Sequence, residues 1–150
     1  MIDSMDKIFI DSNIWLYRLL DDPKSDPQDY QFKRLIAIDL TQPSECIIVI
    51  STQVITETCA VLKRKTQITN EDILELVKEF EEQCEIVNLT TVEIKMACQL
   101  RQNYSFSYWD SLMIATALKS QARVLYSEDM QHGLLIDDRL TVSNPFLRTG

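Results

Sequence analysis

The sequence predicts an α/β protein with a mainly parallel sheet and helices on both faces. Short apolar runs typical of buried strands alternate with helical segments of about 10 to 15 residues, and most of these segments open with a recognisable helix start. The 150 residues are 45% hydrophobic and 25% charged. That length and composition predict one globular domain, residues 1–150, with a sizeable core.

Five short segments are predicted to be strands. The run 46–50 is continuous and largely β-branched, which indicates a strand buried on both faces. The run 7–11 is apolar and ends in a carboxylate, Asp11. The predicted strands are 7–11, 46–50, 85–89, 123–126 and 140–142.

Polar residues mark the starts of the predicted helices. Ser12 and Asn13 precede an apolar helical pattern, and Thr90 with Glu93 forms a capping box. Proline in the first turn, as in 25–27, is also typical of a helix start. The predicted starts are 12–13, 25–27, 51–52, 69–72, 90–93 and 107–110, and the helix after 51–52 is expected to end near Lys63.

Composition excludes several kinds of functional site. His132 is the only histidine, which excludes His-rich zinc sites and a two-histidine acid/base mechanism. The only glycines are Gly133 and Gly150, which excludes a Walker loop and a dinucleotide-binding fingerprint. The formal charge of −8 argues against a plain nucleic-acid-binding module, although a metal ion can reverse the sign of an acidic nuclease site.

A cytoplasmic location is expected. The start of the chain lacks the basic and apolar regions of a signal peptide, and no run approaches the ~20 apolar residues of a membrane span. Four cysteines lie far apart in segments predicted to belong to the core, without a CxxC pair. We expect them to be buried, reduced thiols.

Four acids are candidates for a common site, because binding crevices of parallel sheets lie at the carboxyl ends of the strands. Asp11 ends the first strand, and Asp129 follows the 123–126 strand. Asp110 lies in the first turn of a helix, and Glu57 about two turns into another. Each also has a structural interpretation: a helix cap for Asp11, Asp110 or Asp129, and a solvated helix face for Glu57.

A site made only of carboxylates suits Mg²⁺ or Mn²⁺, since these hard ions prefer oxygen ligands. Such ions polarise a phosphate and activate a water molecule, which is the chemistry of phosphodiester hydrolysis. The four acids therefore indicate a metal-dependent hydrolase.

The sequence around each acid resembles the PIN-domain nucleases, and within them the VapC toxins of bacterial toxin-antitoxin pairs. The motifs are Phe-Ile-Asp11-Ser-Asn-Ile, Thr-Glu57, Trp-Asp110-Ser-Leu-Met-Ile-Ala-Thr-Ala-Leu and Leu-Tyr-Ser-Glu-Asp129-Met. The resemblance covers nearly the whole chain.

The resemblance implies a three-layer α/β/α sandwich, endoribonuclease activity with Mg²⁺ or Mn²⁺, a homodimer and inhibition by a small antitoxin. It also implies residue roles. Asp11 and Asp110 would be the principal metal ligands, Glu57 and Asp129 would complete the site, and Glu128 would be the weaker candidate beside Asp129. Polar support would come from Ser12, Asn13 and Ser127.

Two further features have alternative interpretations. The basic run Lys63-Arg64-Lys65 could contact RNA phosphate, or it could simply favour the dipole at a helix C-terminus. Several aromatic side chains could stack on unpaired bases or pack in the core or in a dimer interface. These are Trp15, Tyr17, Tyr104, Tyr108 and Trp109.

Two rival functions remain at this stage. One is a small-molecule phosphohydrolase with a nucleophilic aspartate after the first strand, but such enzymes usually carry a second aspartate two residues later, where this chain has Asn13. The other is a catalytically silent PIN-like interaction module whose acids act only as caps.

Overall fold

The computed structural model describes residues 6–21 and 26–148, and these residues form a three-layer α/β/α sandwich. The strands are β1 (Lys7–Ile10), β2 (Ile47–Ser51), β3 (Glu85–Val87), β4 (Val124–Tyr126), β5 (Leu135–Ile136) and β6 (Leu140–Ser143). The helices are α1 (Ser12–Leu19), α2 (Pro27–Thr41), α3 (Thr52–Lys65), α4 (Asn70–Gln83), α5 (Thr91–Asn103) and α6 (Tyr108–Lys119). The predicted fold class is confirmed.

The sheet has the strand order β3-β2-β1-β4-β6-β5. Every neighbouring pair is parallel except β5 with β6, which is antiparallel. The chain moves outwards from β1 to β3 and then returns to β4. Because crossovers between parallel strands are right-handed, this reversal divides the helices between the two faces, α1–α4 on one and α5–α6 on the other.

The helix starts predicted from polar residues are confirmed in the described residues. The side chain of Ser51 accepts a hydrogen bond from the amide of Val54, so Ser51, not Thr52, caps α3. Thr90 and Glu93 form the expected capping box. At the start of α2, Asp26 is the cap, while Ser25 of the predicted start lies outside the described residues.

The core lies between the sheet and the helices. Ile48, Val49 and Ile50 are buried in succession, as expected of a strand covered on both faces. Helix α6 is buried from Ser111 to Leu118, although it begins at an exposed first turn. Helix α3 ends at Lys65, two residues beyond the predicted end near Lys63, and the short strand β5 was not predicted.

The cysteines also differ from expectation. All four are free thiols, but none is fully buried, and Cys98 is exposed. In the part of the chain that the structure describes, no helix combines the length and the apolar character needed to cross a membrane.

Candidate active site

The four acids predicted from the sequence lie around the carboxyl ends of the central strands. Asp11 follows β1, and Asp129 lies in the loop after β4, which is the parallel neighbour of β1. Glu57 projects from α3, and Asp110 occupies the first turn of α6. The order in which the strands are added reverses next to β1, and binding crevices of parallel sheets form at such a point.

Asp11 is buried, with 6% of its surface exposed. It occupies the cap position of α1, but its side chain makes no capping hydrogen bond. Instead its two carboxylate oxygens accept hydrogen bonds from the hydroxyls of Ser127, at 2.9 Å, and Ser12, at 3.2 Å. Burial raises the pKa of Asp11 to about 6, although these hydrogen bonds oppose the shift. The side chain therefore does not have the role of a helix cap.

Glu57 is connected to Asp11 through one hydroxyl group. The Ser12 hydroxyl lies 3.3 Å from Glu57 Oε2, so Ser12 bridges the two carboxylates. The other oxygen, Oε1, accepts a hydrogen bond from the Gln53 amide at 3.3 Å. Glu57 is half-buried, so it does not lie on a solvated helix face.

Asp129 is exposed and is held by Asn13. The Asn13 side-chain amide donates to Asp129 Oδ2, and the Asp129 backbone amide donates to the Ser127 hydroxyl at 3.2 Å. Desolvation raises the pKa of Asp129, and the negative charges of Glu128 and Asp110 raise it further. Asp129 also raises the pKa of Asp11 by the same repulsion. Ser127 contacts both Asp11 and Asp129, and Asp129 lines a cavity together with Asp110, so these three acids lie around one crevice.

Asp110 is half-buried at the start of α6. The Ser107 side chain caps this helix by accepting a hydrogen bond from the Asp110 backbone amide at 3.1 Å. The cap thus uses the backbone of Asp110 and not its carboxylate. Asp110 and Asp129 also line a common cavity of about 290 Å³.

Gln53 is a site residue that the sequence interpretation did not select. Its amide nitrogen donates both to Glu57 and to the carbonyl oxygen of Trp109, each at 3.3 Å. It thereby joins α3 to the first turn of α6, next to Asp110. Its own carbonyl oxygen, Oε1, is buried without a hydrogen-bond partner among the described residues. The four-residue spacing from Glu57 is the signal that could have identified it.

Glu128 is directed away from the other acids. Its carboxylate accepts hydrogen bonds from the Tyr17 hydroxyl, at 2.6 Å, and from Lys33 Nζ, at 3.0 Å. Lys33 also lies over the Tyr17 ring, 5.4 Å from its centre. Glu128 is therefore paired with a cation, whereas its neighbour Asp129 faces the crevice.

Within residues 6–21 and 26–148, no group of three or more Asp, Glu, His or Cys side chains converges closely enough to hold a metal ion alone. Instead, Ser12 bridges Asp11 and Glu57, while Asp110 and Asp129 line a common cavity. Mg²⁺ is usually bound through one or two carboxylates together with water and substrate phosphates. The pairs of oxygen donors, together with the unpartnered Gln53 oxygen, fit that mode of binding.

Comparison with protein families matches residues 8–133 to the model described as "PIN domain". A search of curated proteins finds no match. Among solved structures, the chain is similar to a toxin-antitoxin complex from Klebsiella pneumoniae, at 17% identity and a TM-score of 0.63, with 92% of this chain and 97% of that chain covered.

Two further structures are similar. One is Mycobacterium tuberculosis VapC20, a sarcin-ricin loop cleaving toxin, at 15% identity and a TM-score of 0.56, with 79% of this chain and 86% of that chain covered. The other is VapBC2 from Rickettsia felis bound to a promoter DNA fragment, at 16% identity and a TM-score of 0.55, with 92% and 98% covered. At these identities the similarity establishes a common fold.

Proposed function

Because the chain belongs to the PIN domain family, we propose that it is a metal-dependent endoribonuclease that hydrolyses RNA phosphodiester bonds. The observation that supports this most directly is the buried carboxylate of Asp11. It does not cap α1, and it is linked to Glu57 through the Ser12 hydroxyl. We propose Asp11, Glu57, Asp110 and Asp129 as the metal-binding and catalytic residues. Residues 1–150 would form a single nuclease domain.

The protein side chains supply position and charge. Ser127 and Ser12 orient the Asp11 carboxylate, while Gln53 holds Glu57 against the start of α6. Asn13 keeps Asp129 over the crevice. Mg²⁺ or Mn²⁺ bound between these carboxylates would polarise the scissile phosphate and lower the pKa of an attacking water molecule.

A cleavage assay with purified protein tests this function. We expect it to cut labelled single-stranded RNA in Mg²⁺ or Mn²⁺ and to be inactive in EDTA, because the acids repel phosphate without a cation. Adding excess metal ion should restore cleavage. Full activity in EDTA would contradict the metal mechanism. An inactive protein under all metal conditions would favour a silent interaction module, and hydrolysis of only a small phosphate ester would favour a phosphohydrolase.

We further propose that the protein is the toxin of a toxin-antitoxin pair, that it works in the cytoplasm and that it forms a homodimer. The similar structures from Klebsiella pneumoniae and Rickettsia felis are toxin-antitoxin assemblies, which supports an antitoxin partner. A basic side chain of the antitoxin would pair with the carboxylates of the crevice.

Expression of the chain is expected to arrest bacterial growth, and co-expression of a protein encoded beside it should relieve the arrest. The purified complex should have lost ribonuclease activity, because the crevice would be covered. An antitoxin that protects cells but leaves the purified complex fully active would contradict occlusion of the site.

A further inference from the structure

A second cavity, of about 200 Å³, opens directly beside the acids. Two of its walls come from α1, with Asn13, Leu16 and the C-cap residue Leu20, and from α3, with Val61 and Lys65. Asn13 also donates a hydrogen bond to Asp129, so the cavity is adjacent to the candidate active site. We call this cavity the α1/α3 trough.

One face of α3 runs from the active site along the trough. Glu57, Val61 and Lys65 follow one another at intervals of four residues, so they lie in a row on the helix surface. With a rise of about 1.5 Å per residue, the first and last are separated by about 12 Å along the axis. The row therefore starts with a candidate catalytic acid and ends with a cation.

The structure separates the members of the basic run at the end of α3. Lys63 Nζ donates to the carbonyl oxygen of Ile68 at 3.1 Å, which ties it to the loop after the helix. Lys65 lines the trough instead, and it makes no ion pair among the residues that the structure describes. The two lysines therefore have different surroundings although they share a helix end.

The remaining walls of the trough suit a nucleotide. Tyr17 and Tyr30 contribute aromatic rings, which lie 5.5 Å apart between their centres. The acid in the wall, Glu128, is paired with Lys33, so its charge is compensated locally. Aromatic and aliphatic surface next to a cation is the combination that binds bases and phosphates of single strands.

We propose that the α1/α3 trough binds the nucleotide of single-stranded RNA next to the scissile bond, with a backbone phosphate on Lys65. This assignment rests on the proposed ribonuclease function. In a chain with a net charge of −8, Lys65 places a positive charge beside the acids, where it can attract a phosphate.

RNA binding by Asp110→Asn protein, in which cleavage is expected to be blocked, tests the proposal. Fluorescence anisotropy with a labelled single-stranded RNA in Mg²⁺ would be measured over a range of salt concentrations. Introducing Lys65→Ala into the Asp110→Asn protein should weaken RNA binding about fivefold at ~0.1 M salt. The slope of log affinity against log salt concentration should become about 0.7 less steep, as expected for the loss of one phosphate contact. Lys63→Ala is the matched control, because it removes the same charge from the same helix turn.

The comparison of the two lysine variants decides the result. A larger loss of affinity and slope for Lys65→Ala than for Lys63→Ala supports the trough as an RNA subsite. Equal effects, or no change in slope, would overturn it. Failure of the wild-type protein to cleave RNA would instead defeat the proposed function, and this is measured separately from binding.

Discussion

Replacing Asp110 by Asn is expected to lower the rate of RNA cleavage by about a thousandfold or more. Asp110 lies in the crevice with Asp129, and its charge contributes to the raised pKa of that neighbour. The amide of Asn has similar size but no charge to balance a divalent ion. Metal ions contribute several kcal/mol to such reactions, and each 1.4 kcal/mol lost costs about tenfold in rate.

The substitution should leave the fold intact, because Ser107 caps α6 through the Asp110 backbone amide. Melting curves would verify this. Asp137→Asn is a suitable control, since Asp137 is exposed in the turn between β5 and β6, with a positive φ of 51° that Asn tolerates well. If Asp110→Asn cleaved RNA as fast as Asp137→Asn, Asp110 would not be a metal ligand.

Replacing Asp11 by Asn is expected to stabilise the metal-free protein at neutral pH. Burial raises the pKa of Asp11 from 3.8 to about 6 in the folded state, so the folded protein holds this proton more tightly than the unfolded chain does. The free energy of unfolding therefore decreases as the pH rises from about 4 to 6, and it stays at this lower value above pH 6 as far as Asp11 is concerned. A pKa shift of about two units corresponds to about 3 kcal/mol of unfolding free energy. The gain from Asp11→Asn is smaller, because the substitution weakens the hydrogen bonds from Ser12 and Ser127.

For a chain of this length, we expect the melting temperature of Asp11→Asn in EDTA at pH 7.5 to exceed that of the wild type by about 5 °C. The difference should disappear near pH 4, where the wild-type carboxyl is also neutral. Mn²⁺ should stabilise the wild type more than the variant, because ligand linkage follows affinity for the folded state. A lower melting temperature in EDTA, with an intact response to Mn²⁺, would refute a destabilising effect of the buried Asp11 charge.

The helices could be predicted well because their signals are local. Ser51, Thr69, Thr90 and Ser107 each accept a hydrogen bond from an amide two or three residues later, and such a short-range bond is encoded by the adjacent sequence. Strand β5 was missed for the opposite reason. It has only two residues, which pair with Leu140 and Thr141 across the three-residue turn 137–139, and this turn lacks the Asn-Gly signal of a tight hairpin.

The sequence by itself determined the alternation of strands and helices, the family motifs and the four candidate acids. The tertiary structure alone decided what each acid contacts. Asp11 lies where a cap is expected, yet its carboxylate accepts a hydrogen bond from the Ser127 hydroxyl, 116 residues away in the chain. Glu128 and Asp129 are adjacent and both acidic, but the partners that separate them, Lys33 and Asn13, come from distant parts of the chain. Hydrogen bonds and ion pairs act over a few ångströms in space. Which groups come that close is decided only when the sheet brings its strands together, and positions in the sequence do not specify it.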